Sequence, residues 1–251
     1  MTEHEGLNLS LENYVNAAGT LASICHSVTG IPLPDTTLNH FKQTLHTIRL
    51  IDYKLDSTSE KDKRFIFSSQ IMDFLRDDSV SFETENTEQK LGESLEAFRS
   101  IVTSLPEKEE NSMIRTLGTI FKVTEEIRNT MDVKRLRFLL RLEGQLTCRL
   151  FLGLIPSEYK ESEKYPKAIK ALTRLTRVAN AYDSFVDLPS DYKAGEVTVK
   201  PTPLNRVRLL ANAPKDTYEL FSAAPPTVIF LRQMSLGVKQ TNANLARKDK
   251  L

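Results

Sequence analysis

Apolar residues recur every three to four positions along nearly all of this 251-residue chain, which is the spacing of one face of an α-helix. Helix-breaking residues are scarce, with nine glycines and eleven prolines. The one segment with strand-like alternation, residues 195–201, is too short to build a sheet. The pattern predicts an all-α protein with helices at residues 10–28, 35–56, 60–77, 88–104, 108–130, 132–155, 163–187, 203–221 and 226–245.

Polar breaks separate these predicted helices, but none is long enough or low enough in complexity to be an interdomain linker. A chain of this length can bury one sizeable core. We therefore predict a single helical-bundle domain over residues 1–240, followed by a polar C-terminal tail over residues 241–251.

Composition and charge argue against several function classes. The chain has 34 Lys and Arg against 33 Asp and Glu, so no overall field favours nucleic acid or a membrane surface. The first residues lack the pattern of a secretory or transit peptide, and no stretch approaches the roughly 20 uncharged apolar residues of a spanning helix. Hydrolase, dinucleotide-binding and NTPase motifs are missing from the sequence. These features predict a cytoplasmic protein, in which Cys25 and Cys148 are buried thiols.

Two aspartates interrupt the apolar stripe of the second predicted helix. The stripe runs from Leu38 to Ile48 and continues into Asp52 and Asp56, which lie one helical turn apart. Two carboxylates side by side in a partly apolar setting raise each other's pKa unless a cation neutralises them. The placement is therefore costly unless a cation or another partner pairs with the two carboxylates.

A second pair with the same spacing, Asp183 and Asp187, lies at one edge of the apolar face of its helix. A third pair, Asp73 and Asp77, lies largely opposite the apolar face and is typical of a solvated surface. Acids that converge on one cavity from two helices would require hard divalent cations, and Mg²⁺ bound by carboxylates usually shares its shell with a phosphate-bearing ligand. The alternative is that one pair lies on the surface and the other at a helix end, without a common cavity.

The stretches DYKLD (52–56) and ANAYDSFVDLPSDYKAGEVTVKP (179–201) resemble the squalene/phytoene synthase group of class I isoprenoid synthases. That family carries two D-x-x-x-D motifs on facing helices of an all-α bundle. Its second motif is followed by an acidic turn, a basic residue, a glycine and an extended segment that ends at proline. The resemblance is specific over about residues 45–57 and 172–201.

The resemblance implies a bundle of the class I isoprenoid synthase type, in which Mg²⁺ is held by Asp52, Asp56, Asp183, Asp187 and Asn180. The four aspartates would be the catalytic residues, because the metal ions they hold draw diphosphate away from a prenyl diphosphate substrate. The carbocation left behind requires an apolar, water-excluding cavity, and an apolar product would favour peripheral association with a membrane. Candidates for the lining of that cavity are Phe41, Leu45, Ile48, Leu142, Leu146 and Leu172.

Four further residues are predicted to contact the diphosphate. Arg49 falls one turn before the first motif, where the family often places such an arginine. Arg177 is the member of a basic ladder nearest the acidic edge, although a solvated face is the alternative for that ladder. Tyr192 and Lys193 follow the second motif in a predicted loop that could close over a diphosphate.

Arg141 is a fifth candidate for diphosphate contact. It interrupts an apolar helix together with Glu143, and the two belong either to an ion pair or to a polar cluster at a cavity floor. The second motif also departs from the family's pattern, because Asn180 stands three rather than four residues before Asp183, and Tyr182 replaces an arginine.

Taken together, the paired carboxylates and the resemblance imply a Mg²⁺-dependent isoprenoid synthase that couples or cyclises prenyl diphosphates. The alternative from another class is a non-catalytic helical interaction protein, or a subunit that retains the fold without turnover.

Overall fold

A computed structural model describes residues 15–82 and 89–224 of the chain. Within these ranges all regular structure is helical and no strand is present, which confirms the predicted all-α class. None of the helices there is both long and apolar enough to cross a membrane. In chain order the helices are α1 (Val15–Thr29), α2 (Asp35–Ser57), α3 (Lys61–Arg76), α4 (Gln89–Thr103), α5 (Glu107–Asn129), α6 (Val133–Gly153), α7 (Ser157–Lys160), α8 (Tyr165–Ala194), α9 (Pro203–Leu209) and α10 (Ala213–Ala223), with a short 3₁₀ helix at Leu210–Asn212.

Two of the predicted helices differ from the structure. The helix predicted to end at residue 187 continues through Pro189 to Ala194, where Gly195 ends it with a φ of 79°. The helix predicted over 203–221 is divided into α9, the 3₁₀ helix and α10. The helix predicted at 226–245 and the tail at 241–251 lie outside the described residues.

The buried apolar residues form two clusters. The larger one joins α1 to α5 with parts of α6, α8 and α10, and in it the rings of Phe41 and Phe151 meet edge to face at 5.4 Å. Cys25 and Cys148 are buried in this cluster, as predicted, and burial raises their pKa values to about 12 and about 11. The smaller cluster joins the ends of α5 and α8, α6 from Val133 to Leu146, the segment that follows α8, and Leu209 of α9.

Helices α6 and α8 approach each other at Gly144. A Cβ atom at this position would lie 2.9 Å from the carbonyl oxygen of Thr176 and 3.3 Å from the Cα of Arg177. A contact of 2.9 Å is essentially never found for real Cβ atoms, and its partner here is a backbone atom, so any other residue would push the two backbones apart. The glycine therefore lets α6 and α8 pack backbone to backbone, which fixes the position of Glu143 relative to the second D-x-x-x-D motif.

Arg64 joins the end of α2 to α3 and α5. Its Nη1 donates hydrogen bonds to the carbonyl oxygens of Thr58 and Ser59, at 2.9 and 2.8 Å. Its Nε and Nη2 form a forked pair with the two carboxylate oxygens of Glu125, both at 3.0 Å. This clamp holds the last turn of α2, which carries Asp56, against α5.

Candidate functional site

All four aspartates of the two D-x-x-x-D motifs line one cavity of about 420 Å³. Helix α2 contributes Asp52 and Asp56, and helix α8 contributes Asp183 and Asp187. The pair with the same spacing on α3, Asp73 and Asp77, does not line it. We call this space the acidic cavity.

The acidic cavity is lined by many more acids than bases. Among the described residues, Arg49 and Arg128 are the basic residues in its wall. The acidic residues in its wall are Asp52, Asp56, Glu143, Asp183, Asp187, Asp191 and Glu196. Seven carboxyl groups facing two guanidinium groups leave a strong negative potential if all are ionised.

The two arginines each pair with one carboxylate of the first motif. Arg49 Nη1 donates to Asp52 Oδ2 at 2.8 Å, one turn apart on α2. Arg128, on α5, pairs with Asp56 and is only 8 % exposed. A buried guanidinium is stabilised by its carboxylate partner, so Arg128 and Asp56 hold α5 and α2 together at the cavity wall.

The pKa values show that acids from different helices share one electrostatic field. The pKa of Asp52 is raised to about 6, chiefly by burial and then by the charge of Asp56, against the lowering effects of Arg49 and Arg128. The pKa of Glu143 is likewise raised to about 7, chiefly by burial and then by repulsion from Asp52, Asp56 and Asp183, while the hydrogen bond from Thr124 opposes the rise. The cavity thus holds more negative charge than its own arginines neutralise.

Glu143 is held by two hydrogen bonds from neighbouring helices. Thr124 Oγ1 on α5 donates to one carboxylate oxygen at 3.0 Å, and Asn180 Nδ2 on α8 donates to the other at 3.2 Å. Asn180 itself does not line the acidic cavity. The structure therefore places the predicted metal ligand Asn180 behind Glu143, where its amide orients that carboxylate.

Helix α8 passes through Pro189 without ending, because a side chain replaces the missing hydrogen-bond donor. Proline has no backbone N–H, so the carbonyl of Phe185 loses its normal helical partner. Arg206 Nε on α9 donates to that carbonyl oxygen at 2.9 Å. The Arg206 guanidinium also stacks over the Phe185 ring at 4.7 Å. The continued helix brings Asp191 to the cavity wall, two turns after Asp183.

The replacement of the missing Pro189 donor by Arg206 predicts that mutations at these two positions are energetically coupled. Arg206→Ala is expected to lower the free energy of unfolding by about 1–3 kcal/mol, because it leaves the Phe185 carbonyl without a donor. In a Pro189→Ala background the restored N–H of residue 189 can bond to the same carbonyl. The cost of Arg206→Ala should then fall by about 1 kcal/mol, as measured by urea unfolding of the four proteins in a double-mutant cycle. Strictly additive costs would contradict this account.

Arg141 and Arg177, two of the predicted diphosphate contacts, do not line the acidic cavity. Arg141 pairs with Asp216 of α10, a carboxylate that is 2 % exposed and also accepts from Arg174 at 2.8 Å. Arg177 Nη2 donates to Gln145 Oε1 at 2.5 Å. For Arg141 the structure thus supports the ion-pair alternative, in a charged cluster that holds α10 against α6 and α8.

Tyr192 and Lys193 were predicted in a loop, and this prediction is wrong. Both lie in the last turn of α8, exposed to solvent, and neither lines the acidic cavity. The chain leaves the helix at Gly195, where the N–H groups of Glu196 and Val197 bond back to the carbonyl of Asp191. Glu196 and Val197, rather than the two predicted residues, belong to the cavity wall.

Of the apolar residues predicted to line a prenyl cavity, three are buried in the core and the other three, Leu45, Ile48 and Leu142, are partly buried and pack against it. None of them lines the acidic cavity. Phe41 has no exposed surface and Leu172 is 1 % exposed, so the bundle interior at these positions is filled by side chains. The acidic cavity has apolar wall residues of its own, which are Ile127, Leu136, Leu140, Leu188 and Val197.

Sequence reasoning missed Arg128, although a signal was present. Arg128 follows Phe121 by seven residues and therefore lies on the buried stripe of α5. A charged residue on an apolar stripe was the same signal that singled out Asp52 and Asp56. The sequence marks Glu143 as a polar interruption of α6. The structure places Glu143 in the wall of the acidic cavity, which agrees with the alternative of a polar cluster at a cavity floor.

Comparison with protein-family models, with curated proteins and with solved structures found no match to this chain. In the described residues, no group of three or more His, Cys, Asp or Glu side chains lies close enough together to hold a metal ion as the side chains stand. The acidic cavity thus offers many carboxylate oxygens around one space, with the side chains spread over its walls.

Proposed function

We propose that the protein is a Mg²⁺-dependent isoprenoid synthase that ionises a prenyl diphosphate in the acidic cavity. The observation that carries the proposal is that two D-x-x-x-D pairs, on helices more than a hundred residues apart in sequence, line one cavity. The resemblance of the same two stretches to squalene/phytoene synthases supports the isoprenoid class. Whether two prenyl chains are coupled or one is cyclised depends on the shape of the chain-binding space.

The donor set of the cavity fits Mg²⁺. Carboxylate oxygens are the hard ligands this ion prefers, and it keeps several waters, which suits carboxylates spread across a cavity. Burial, and after it repulsion between neighbouring carboxylates, raises the pKa values of Asp52 and Glu143, and a divalent cation would favour their ionised forms. Asp52, Asp56, Asp183 and Asp187 would hold the ion, after side-chain movements that bring their oxygens together.

Bound Mg²⁺ would supply Lewis-acid stabilisation of the negative charge that develops on the leaving diphosphate. The protein's own residues have three tasks beside it. Arg49, which lines the cavity wall, would donate hydrogen bonds to diphosphate oxygens. Leu136 and Leu188 form apolar wall that keeps water from the carbon end of the substrate. Thr124 and Asn180 hold Glu143 in one orientation.

The experiment is an assay of the purified protein with farnesyl diphosphate, with and without Mg²⁺. We expect release of inorganic diphosphate and an apolar product, detected by mass spectrometry, with both depending on Mg²⁺. Addition of EDTA should stop both. If neither farnesyl nor geranylgeranyl diphosphate is consumed, and neither raises the melting temperature with Mg²⁺, the proposal is wrong.

One observation favours a second candidate, a non-catalytic protein that binds a cation and an anionic ligand. The bundle interior around Phe41 and Leu172, where a prenyl chain was expected, is filled by side chains. In this case Mg²⁺ with inorganic diphosphate would raise the melting temperature by mass action. Prenyl diphosphates would do so no better, and none would be consumed.

A further inference from the structure

A second, larger space of about 800 Å³ lies between α3 and α5. Its floor is apolar and includes Leu55, Met72 and Phe121. Phe65, in its wall, keeps 71 % of its surface exposed, and charged side chains of both signs, among them Lys122, Asp73 and Glu126, also line the space. We call this space the α3–α5 groove. An exposed phenylalanine over an apolar floor is the usual sign of a surface that binds an apolar group.

The groove and the acidic cavity share a wall. Thr124 and Arg128, one turn apart on α5, line both spaces. On α2, two consecutive residues face different spaces. Leu55 lines the groove and Asp56 lines the acidic cavity. The two spaces are thus separated by side chains, chiefly the ion pair between Arg128 and Asp56.

The ion pair between Arg128 and Asp56 separates the two spaces, and a cation in the acidic cavity would compete with Arg128 for the Asp56 carboxylate. Arg128 stays at the wall because Asp56 neutralises it. If Asp56 instead gives its oxygens to a divalent cation, Arg128 loses its partner and is free to turn toward an anionic ligand. An opening between the two spaces would follow from a side-chain movement, without displacement of a helix.

We propose that the α3–α5 groove takes the hydrocarbon chain of a ligand whose diphosphate group binds in the acidic cavity. This inference rests on the proposed function. The acidic cavity has a volume of about 420 Å³ and seven carboxyl residues in its wall, so its apolar wall suits the carbon atoms next to the diphosphate and not a long hydrocarbon chain. The bundle interior near Phe41 is filled. The groove supplies apolar surface beside the acidic cavity. Gly118 has no side chain to narrow the groove, and the atoms that face it belong to the flexible end of the Met72 side chain.

The test fills the groove from an exposed position and compares ligands with and without a chain. Thr119 lines the groove and is exposed on α5, so Thr119→Trp should place an indole in it while leaving the core intact. Thermal shifts are measured with Mg²⁺ and either farnesyl diphosphate or inorganic diphosphate. In the unaltered protein the farnesyl compound should bind more tightly, by about fourfold for each methylene group buried. Thr119→Trp should reduce its affinity at least about tenfold and leave that of inorganic diphosphate unchanged.

Thr103→Trp is the matched control. Thr103 is also an exposed helical threonine whose hydroxyl donates to the carbonyl four residues earlier, and it lines neither space. Ser69→Trp, on the opposite wall of the groove, repeats the test from α3. If both groove variants keep the full preference for farnesyl diphosphate, or if the unaltered protein has no such preference, the inference is wrong and the diphosphate site stands. If neither ligand binds the unaltered protein, the proposed function fails and the inference fails with it.

Discussion

Asp183→Asn is expected to abolish the rise in melting temperature that Mg²⁺ and farnesyl diphosphate together produce. A ligand at a hundred times its dissociation constant stabilises the native state by about 2.7 kcal/mol, which corresponds to roughly 5–10 °C for a protein of this size. The aspartate lies on the wall opposite the first motif, so its loss removes a carboxylate from one side of the metal site. Turnover should fall by about a thousandfold or more.

Asp77→Asn is the control for this change. Asp77 belongs to an acidic pair of the same spacing, but it is exposed at the end of α3 and lines neither the acidic cavity nor the α3–α5 groove. Its loss should leave the ligand-induced shift unchanged. A full shift in the Asp183 variant, with circular dichroism showing a folded protein, would remove Asp183 from the site. Equal loss in both variants would point to a nonspecific charge effect.

Glu143→Gln is expected to stabilise the metal-free protein at pH 8, by roughly 2 kcal/mol. The folded-state pKa of Glu143 is raised from 4.5 to about 7, so the native protein binds a proton more readily than the unfolded chain. Stability in the unaltered protein should therefore fall as pH rises from about 4.5 to about 7. Glutamine keeps the shape and cannot ionise, so the difference between the two proteins should be largest above pH 7 and vanish below about pH 4.5.

Glu125→Gln provides a control of opposite sign. Burial raises the pKa of Glu125, but hydrogen bonds from Arg64 and Asn129 outweigh it and bring the pKa below its usual value. This carboxylate stabilises the native state above its unfolded pKa and loses that effect as pH falls. Its substitution should therefore destabilise the protein at pH 8, where Glu143→Gln stabilises it. Urea unfolding at pH 4 to 8 measures both, and destabilisation by Glu143→Gln at pH 8 would contradict the charge imbalance in the acidic cavity.

The helical class and most helix positions follow from the sequence because amphipathic periodicity is a local property. The face on which Asp52 and Asp56 lie followed from the same periodicity. The end of α8 did not, because Pro189 normally terminates a helix and its missing donor is replaced by Arg206, which comes from a later helix.

The parts of the site that could not be predicted depend on distant contacts. Periodicity marks Phe41 and Leu172 as inward-facing but cannot distinguish a filled core from a cavity wall. Arg141 pairs with a carboxylate 75 positions away in sequence, and spacing along one helix carries no information about that partner. The acidic cavity itself could be predicted from the sequence. The charged residues that α2 and α8 contribute to its wall follow one another at intervals of three or four residues, so they share one face of each helix.

The backbone contact at Gly144 has a consequence for how this protein can diverge. Distances between helices that rest on interlocked side chains shift whenever a core residue changes in size. Here main-chain atoms of α6 and α8 meet directly, so the separation of Glu143 from Asp183 does not depend on which side chains fill the surrounding core. Substitutions can accumulate in both apolar clusters while the spacing of these carboxylates is preserved, provided that position 144 remains glycine.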